Sequence, residues 1–290
     1  MNRLIGWLID WLIVGHVQHT LPEGNAVWGV TSLDNRLYVL RQQTSQQIEV
    51  YDTQSYRLLQ RLTVALLGSV SDIVSCPHNR CLYIADANKQ CVHRVGLRIV
   101  WLSRPDVRQW SVNDVPAGLA LTDTHSLLVT CHEAAKIKEF SADGKLLRQL
   151  ELVENVVSPS HAVQSTTSSG EFLVCHGRTA DPLQRVCLVG ADGHVVAAHG
   201  GLQGSGTQYV NVAAHLAVDK SGFIFVVDHN NYRVLLLSPQ LNYVRQVVSR
   251  DQLKWKPRRL CLDVDKRRLY VSVNVNVGES TAGRVVVISV

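Results

Sequence analysis

The chain has 290 residues, 46% of them hydrophobic, which is enough for a sizeable core and excludes a disordered or low-complexity protein. A net charge of +5 permits an anionic partner but lies far below the density of a basic tail. Seven cysteines with no CxxC pair and no zinc-finger spacing read as reduced, buried small hydrophobes of an intracellular protein. Cys81 with Cys91, and Cys175 with Cys187, are the two pairs that could meet across a hairpin. The absence of any Asn-x-Ser/Thr acceptor also points away from an extracellular life.

The first stretch, LIGWLIDWLIV from Leu4 to Val14, is almost unbroken in its apolar character. It resembles the core of a signal peptide, but it is too short to cross a bilayer, Asp10 interrupts it, and no small-x-small cleavage site follows. A packing segment that runs into a strand is the expected reading, with secretion or anchoring as the alternative. The expected compartment is the cytoplasm, with no membrane contact unless this run is an anchor.

Beyond it the chain repeats. Runs of the LYV type are centred on Tyr38, Tyr83, Leu128, Leu173, Phe225 and Tyr270, at intervals of 45, 45, 45, 52 and 45 residues. A period of this length built from short strands predicts a β-propeller with one four-stranded blade per unit. Each unit opens on an apolar strand (VWGVTS, SDIVSC, AGLALT, HAVQS, HLAVD, RLCLD) expected to line the central channel. A tight turn, the LYV strand, a polar turn and a third strand such as IEVYD, IKEFS or VLLLS follow. The fourth strand is more amphipathic (RLLQRL, KLLRQL, YVRQVV), as an outer strand should be.

The sixth unit stops one strand short, after VVVIS. An open blade edge would leave backbone groups unpaired, so Trp11 to Thr20 is expected to close the ring from the other end of the chain. The predicted organisation is a segment over 1–22 that includes this closing strand, then a propeller over 23–290. The one long interval falls between the fourth and fifth units, where HGRTADPLQR and the Gly-rich GGLQGSGTQ absorb the excess as loops that are candidates for binding.

The fifth unit, HLAVDKSGFIFVVDHNNYRVLLLSP, resembles the NHL repeat: an inner GVAVD-like strand, a turn with Gly, a YVAD-like strand, an N-x-R turn and a V-x-V-F-like strand. LYIADANKQ in the second unit is a weaker copy, with Cys91 where the fifth unit has Arg233. At the motif's Asp position Asp86 and Asp228 remain, while Arg41, Cys131, His176 and Val273 stand in the other units. The resemblance spans about 25–290 and implies an all-β, six-bladed β-propeller of NHL type. It is similar to the NHL domains of tripartite-motif proteins, which choose substrates for ubiquitin ligases. Asp86, Asp228 and Arg233 read as braces of their turns. No GH…WD pattern supports the WD40 class.

In such a ring the turns after the second strands and the links between blades gather on one face. KWKPRR, Lys254 to Arg259, reads as a link on this loop face; the basic turn Lys266-Arg267-Arg268 lies on the opposite one. A Trp among four basic residues suits single-stranded RNA, which some NHL propellers bind. His161 and His215 head inner strands at matching positions, and His132, His176 and His229 lie in turns of the same face. The peptidyl-amidoglycolate lyases, a similar class, hold zinc in this region, which raises a metal-dependent lyase or lactonase as a third reading. Against it, no ligand set stands at matching spacing, the channel strands are poor in carboxylates, and no GxSxG nucleophile occurs. No catalytic residue, metal or other cofactor is assigned. The expected function is a monomeric, non-enzymatic interaction module. Its contact residues would be His132, His161, His176, Arg178, His215, His229, Asn230, Tyr232, Lys254, Trp255, Lys256, Arg258 and Arg259. A protein is the expected partner and RNA, not DNA, the alternative.

Overall fold

The structure, a computed structural model, describes residues 15–42, 47–65, 67–97, 106–153, 155–167 and 170–290. After β1 (His16–Thr20) and β2 (Gly24–Asn25) the chain builds its first blade from β3 (Val27–Leu33), β4 (Arg36–Arg41), β5 (Gln47–Asp52) and β6 (Leu58–Thr63). The second is β7 (Val70–Cys76), β8 (Cys81–Asp86), β9 (Cys91–Gly96) and β10 (Val107–Ser111). The third is β11 (Pro116–Leu121), β12 (Leu127–Cys131), β13 (Lys136–Phe140) and β14 (Leu146–Glu151). The fourth is β15 (Pro159–Gln164), β16 (Phe172–His176), β17 (Gln184–Val189) and β18 (Val195–Gly201). The fifth is β19 (Ala213–Val218), β20 (Ile224–Asp228), β21 (Arg233–Leu237) and β22 (Tyr243–Val248). A single helical turn, α1 (Arg250–Leu253), leads to β23 (Lys256–Asp263), β24 (Arg268–Val277) and β25 (Ser280–Ser289).

Every sheet is an antiparallel meander, and the last runs β1-β25-β24-β23. The amino-terminal strand therefore closes the ring, with His16 opposite Ser289 and Thr20 opposite Val286. Leu4 to Val14 lies outside the described residues, so closure rests on His16–Thr20. Two features had no signal in the repeat: β2 adds Gly24 and Asn25 to β25, and the β24–β25 hairpin has ten residues a strand.

Alternating side chains place apolar residues on both faces of each blade, and adjacent blades stack them face to face. The result is six hydrophobic clusters, each shared by two neighbouring blades. Across the closure Leu21, Val27 and Val39 meet Tyr270, Val285 and Val287. Outer strands such as β6 and β14 are largely exposed, as their amphipathic sequences require. All seven cysteines are free thiols. Register explains why neither candidate pair meets: Cys81 lies opposite Gly96 and Cys91 opposite Asp86, while Cys175 faces Val186 and Cys187 faces Val174. Among the described residues no helix is long and apolar enough to cross a membrane.

Because Leu21 is 1% exposed at the closure and Leu59 is 53% exposed on β6, alanine separates the two sites. Leu21→Ala is expected to lower stability to urea by about 2–5 kcal/mol. Leu59→Ala should stay within about 0.5 kcal/mol of the parent.

Candidate functional site

All six inner strands share one irregularity. The register of β3, β7, β11, β15, β19 and β23 shifts at the same place, between Val27 and Gly29, Val70 and Asp72, Pro116 and Gly118, Pro159 and His161, Ala213 and His215, and Pro257 and Arg259. A bulge of this kind re-aims the next side chain. Because successive inner strands pack against one another around the ring, the residues after the bulges form one layer across the channel: Gly29, Asp72, Gly118, His161, His215 and Arg259.

That layer is a sealed hub. Arg259 is 6% exposed and reaches over the axis, donating Nη2 to the carbonyls of Ser71 (2.9 Å) and Ala117 (3.0 Å) and Nη1 to that of Ala214 (3.4 Å). Its Nε lies 3.4 Å from Asp72 Oδ1, while Asp72 Oδ2 accepts the Leu119 N–H at 2.9 Å and sits 3.5 Å from His215 Nε2. His161 Nε2 is 3.1 Å from the Leu119 carbonyl, which can only accept, so this nitrogen carries the proton. The His161 and His215 rings stack with centroids 3.6 Å apart. Glycine makes room for this. A Cβ on Gly118 would stand 2.7 Å from His161 Cδ2, and one on Gly29 2.5 Å from Ile73 Cγ2.

The electrostatics follow from burial. Desolvation alone would raise the Asp72 carboxyl, but Arg259, His215 and His161 outweigh it and hold it at about 2. Burial lowers His161 well below the usual imidazole range, helped by His215, and lowers His215 despite Asp72. The hub therefore holds one carboxylate, one guanidinium and two neutral imidazoles. Asp72, His161 and His215 bring three ligand atoms within 4.8 Å, a set that sequence spacing did not reveal. They do not fit the metal that the lyase resemblance implies, because Arg259 already neutralises Asp72 and a divalent cation there would face its guanidinium.

Above the hub the channel opens on the loop face through a second layer: Trp28, Ser71, Ala117, Ser160, Ala214 and Arg258. All but Ala214 are partly exposed. Arg258 lies over the Trp28 ring, 3.7 Å from its centroid. Ser71 and Ser160 turn their hydroxyls onto the carbonyls of Pro116 (2.6 Å) and Ala213 (2.8 Å) of the next blades.

The sequence-derived contact residues divide accordingly. His161, His215 and Arg259 belong to the buried hub, and His176 is 0% exposed beside Arg185. These four present no contact surface. Lys256 to Arg259 are not a link but the head of β23, with Lys254 and Trp255 alone in the connection. Trp255 stacks with Arg284 at 4.2 Å, and Lys256 bonds Asn230 Oδ1 at 2.9 Å. His132 and His229 are half-buried and hold the Pro159 and Pro257 carbonyls through Nδ1, at 3.2 and 2.6 Å. Burial pushes His229 down to about 4. Tyr232 carries Arg250 over its ring at 4.4 Å, and Asn230 bonds Asn211. Arg178 and Lys254 are exposed at the rim.

The braces hold their turns. Asp228 accepts the Asn211 N–H at 2.7 Å and pairs with Arg233 at 2.7 Å. Arg233 continues to the carbonyls of Gly206 and Tyr209, and Asn231 to that of Gly204, so the Gly-rich link is bound down onto the hairpin. In the second blade, where Cys91 replaces the arginine, His93 takes its part, 3.1 Å from Asp86, while the Gly68 N–H donates to the same oxygen at 2.6 Å. A cleft of about 610 Å³ also opens on the loop face, lined by Trp28, Gln42, Gln47, Ser69, Asn88 and Thr281 among others.

No known family model matches the chain, and no curated protein matches it in sequence. Solved structures share its fold. Catalytically inactive virginiamycin B lyase from Staphylococcus aureus with quinupristin is 9% identical, with a TM-score of 0.60 over 91% of this chain and 98% of that one. The β-propeller domain of Cps50 (Swd1) from Myceliophteria thermophila is 13% identical, with a TM-score of 0.60 over 95% and 99%. Hydrazine synthase of Kuenenia stuttgartiensis is 13% identical, with a TM-score of 0.60 over 89% and 96%. At these identities the likeness defines the class, a six-bladed β-propeller, and the hub and mouth must be read from this chain's own residues.

Removing Arg259 alone strands a buried carboxylate. Arg259→Met is expected to cost about 3–5 kcal/mol in urea unfolding. Adding Asp72→Asn should recover part of that loss; single-variant costs that add to within about 0.5 kcal/mol would show that the pair is not coupled.

Proposed function

We propose that the chain is an NHL-type propeller that works as a non-enzymatic recognition module, binding a protein partner on its loop face. The observation that carries this reading is the contrast between hub and mouth. The titratable groups gathered on the axis are sealed and engage one another and the backbone, whereas the layer above them sets two large groups, Trp28 and Arg258, among four small ones, Ser71, Ala117, Ser160 and Ala214. A rigid ring that sets Trp28 and Arg258 on one side of its mouth is suited to recognition without a covalent step. Solved propellers of this fold include both a lyase and a domain of Cps50, so the fold itself favours neither class. The NHL resemblance adds a specific setting, the choice of substrate in a ubiquitin-ligase-type system. The RNA reading loses support from the placement of its motif, since Arg259 is internal and Lys256 is engaged by Asn230.

The test is affinity capture from the native cell, with and without nuclease. It compares the parent with Asn88→Arg/Lys254→Glu on the loop face and Asp123→Arg/Lys220→Glu on the opposite face. The reading expects protein partners that survive nuclease and are lost with the loop-face variant only. Partners lost to nuclease, or lost with the opposite-face variant instead, would refute it.

A further inference from the structure

Arg258 is the one component of the axial site whose charge is left without a counter-ion. Its neighbour Arg259 is neutralised by Asp72, and the carbonyls of Ser71, Ala117 and Ala214 fill the rest of that guanidinium. Arg258 has Trp28 against one face, and among the described residues its side chain makes no ion pair and no hydrogen bond; its Nε is buried without an acceptor. Burial first, then Arg259, with a smaller part from Arg178, lower its pKa to about 9 against the pull of Asp72. A guanidinium removed from water and given no anion is unfavourable unless a ligand supplies one. Four of the other five mouth positions, Ser71, Ala117, Ser160 and Ala214, carry small side chains, none of them an acid that could pair with it. The rim carries both signs around His132, where Arg178 is opposed by Glu133 and Asp181, but at Arg258 itself the only acid that acts is Asp72, already paired with Arg259, while Arg178 adds to the positive charge and His229 is held neutral beside it. The mouth therefore holds a guanidinium with an unmatched hydrogen-bonding fork.

Trp28 joins this mouth to the cleft, since the same ring that stacks on Arg258 lines the cleft. The cleft walls differ in character from the mouth. Gln42, Gln47, Ser69, Asn88 and Thr281 are neutral donors and acceptors, suited to the backbone of an extended peptide. Arg41 at the floor is committed to Glu49 (2.7 Å) and to the carbonyls of Asn25, Gly283 and Pro22, and Glu279 on the wall is acidic. A polynucleotide needs a track of free cations and stacking platforms. Here there is one aromatic and one unpaired guanidinium, at the end of a groove whose single lining cation, Arg41, is already committed.

From this geometry we infer that the mouth is a carboxylate-binding pit. The partner lays an extended segment in the cleft and places one acidic group, a Glu or Asp side chain or a terminal carboxylate, on the edge of Arg258 beside Trp28. This rests on the reading of the loop face as the recognition face and names the chemistry that it recognises.

The test uses the full chain and two probes. In an NMR titration at constant ionic strength, acetate should shift the Arg258 Nε–H and Trp28 indole resonances saturably, while acetamide should not. A fluorescein-labelled tetraglutamate peptide should bind at low salt, compete with acetate, and lose about thirtyfold or more in affinity with Arg258→Gln, the usual scale for truncating one partner of a buried charge pair. Lys220→Gln, on the opposite face, should bind like the parent. Arg258→Gln removes an unpaired charge and should melt no lower than the parent; if it does melt lower, Arg178→Gln at the exposed rim serves in its place, with a smaller expected loss. Acetate that leaves both resonances unmoved, tetraglutamate binding indifferent to Arg258 and Arg178, or dependence on Arg258 shown by a decauridylate RNA instead of the peptide would each overturn the inference. If loop-face variants lose the captured partner while Arg258→Gln retains it, the recognition face stands and the carboxylate pit fails.

Discussion

The structure turns on one guanidinium. A ring of six blades has no centre of its own, because each blade buries its faces against its neighbours and leaves the inner strands around an axis. Arg259 supplies the centre, running from the sixth blade to carbonyls of the second, third and fifth and to the carboxylate of Asp72. The fourth blade joins through His161, stacked on His215, and the first through Trp28 under Arg258. Two glycines in the same layer, Gly29 and Gly118, leave the room that this requires. A buried charge pair is weak evidence for stability, but it specifies geometry, since its groups are satisfied only when the blades stand in the right order and register.

The hub also sorts what this site is able to do. Imidazoles and a carboxylate on a propeller axis suggest catalysis or metal binding, yet here they are occupied with one another and with backbone. The reactive-looking residues thus become a floor, and discrimination passes to the layer above, where Trp28 and Arg258 stand among small side chains. The face is asymmetric as well. The long β24–β25 hairpin and β2 build up one side of it and help form the cleft, a departure from the repeat that the sixth blade alone carries.

Much of this was legible in the sequence, and the rest was hidden for physical reasons. The period could be read because packed blades demand equal strand spacing, and the closing strand because an unpaired edge is unfavourable. Asp228 and Arg233 announced a braced turn by chemistry that a hairpin can satisfy locally. The hub is the opposite case, since its charged and imidazole members lie up to 187 residues apart, from Asp72 to Arg259, and meet only when the ring closes. His161 and His215 stand at visibly equivalent positions, but Asp72 carries no such signal inside an apolar strand. Arg259 reads as part of a loop-face link because a basic run with a proline looks like one. The corrective signal was present: Pro257 matches Pro116 and Pro159 at the heads of their inner strands, which puts Arg259 in the column of Asp72, His161 and His215. The carboxylate and guanidinium of that column predict each other.

The central claim is that the axial histidines are neutral structural members of a closed hub, locked around the Asp72–Arg259 pair. Long-range proton–nitrogen NMR correlations of the imidazole rings report charge and tautomer directly. The account predicts that His161 and His215 are neutral at about pH 7, with the proton on Nε2, and that each takes up its second proton at lower pH than an ordinary imidazole does. Imidazolium signals from either ring at about pH 7, or a change of tautomer on adding zinc, would contradict it.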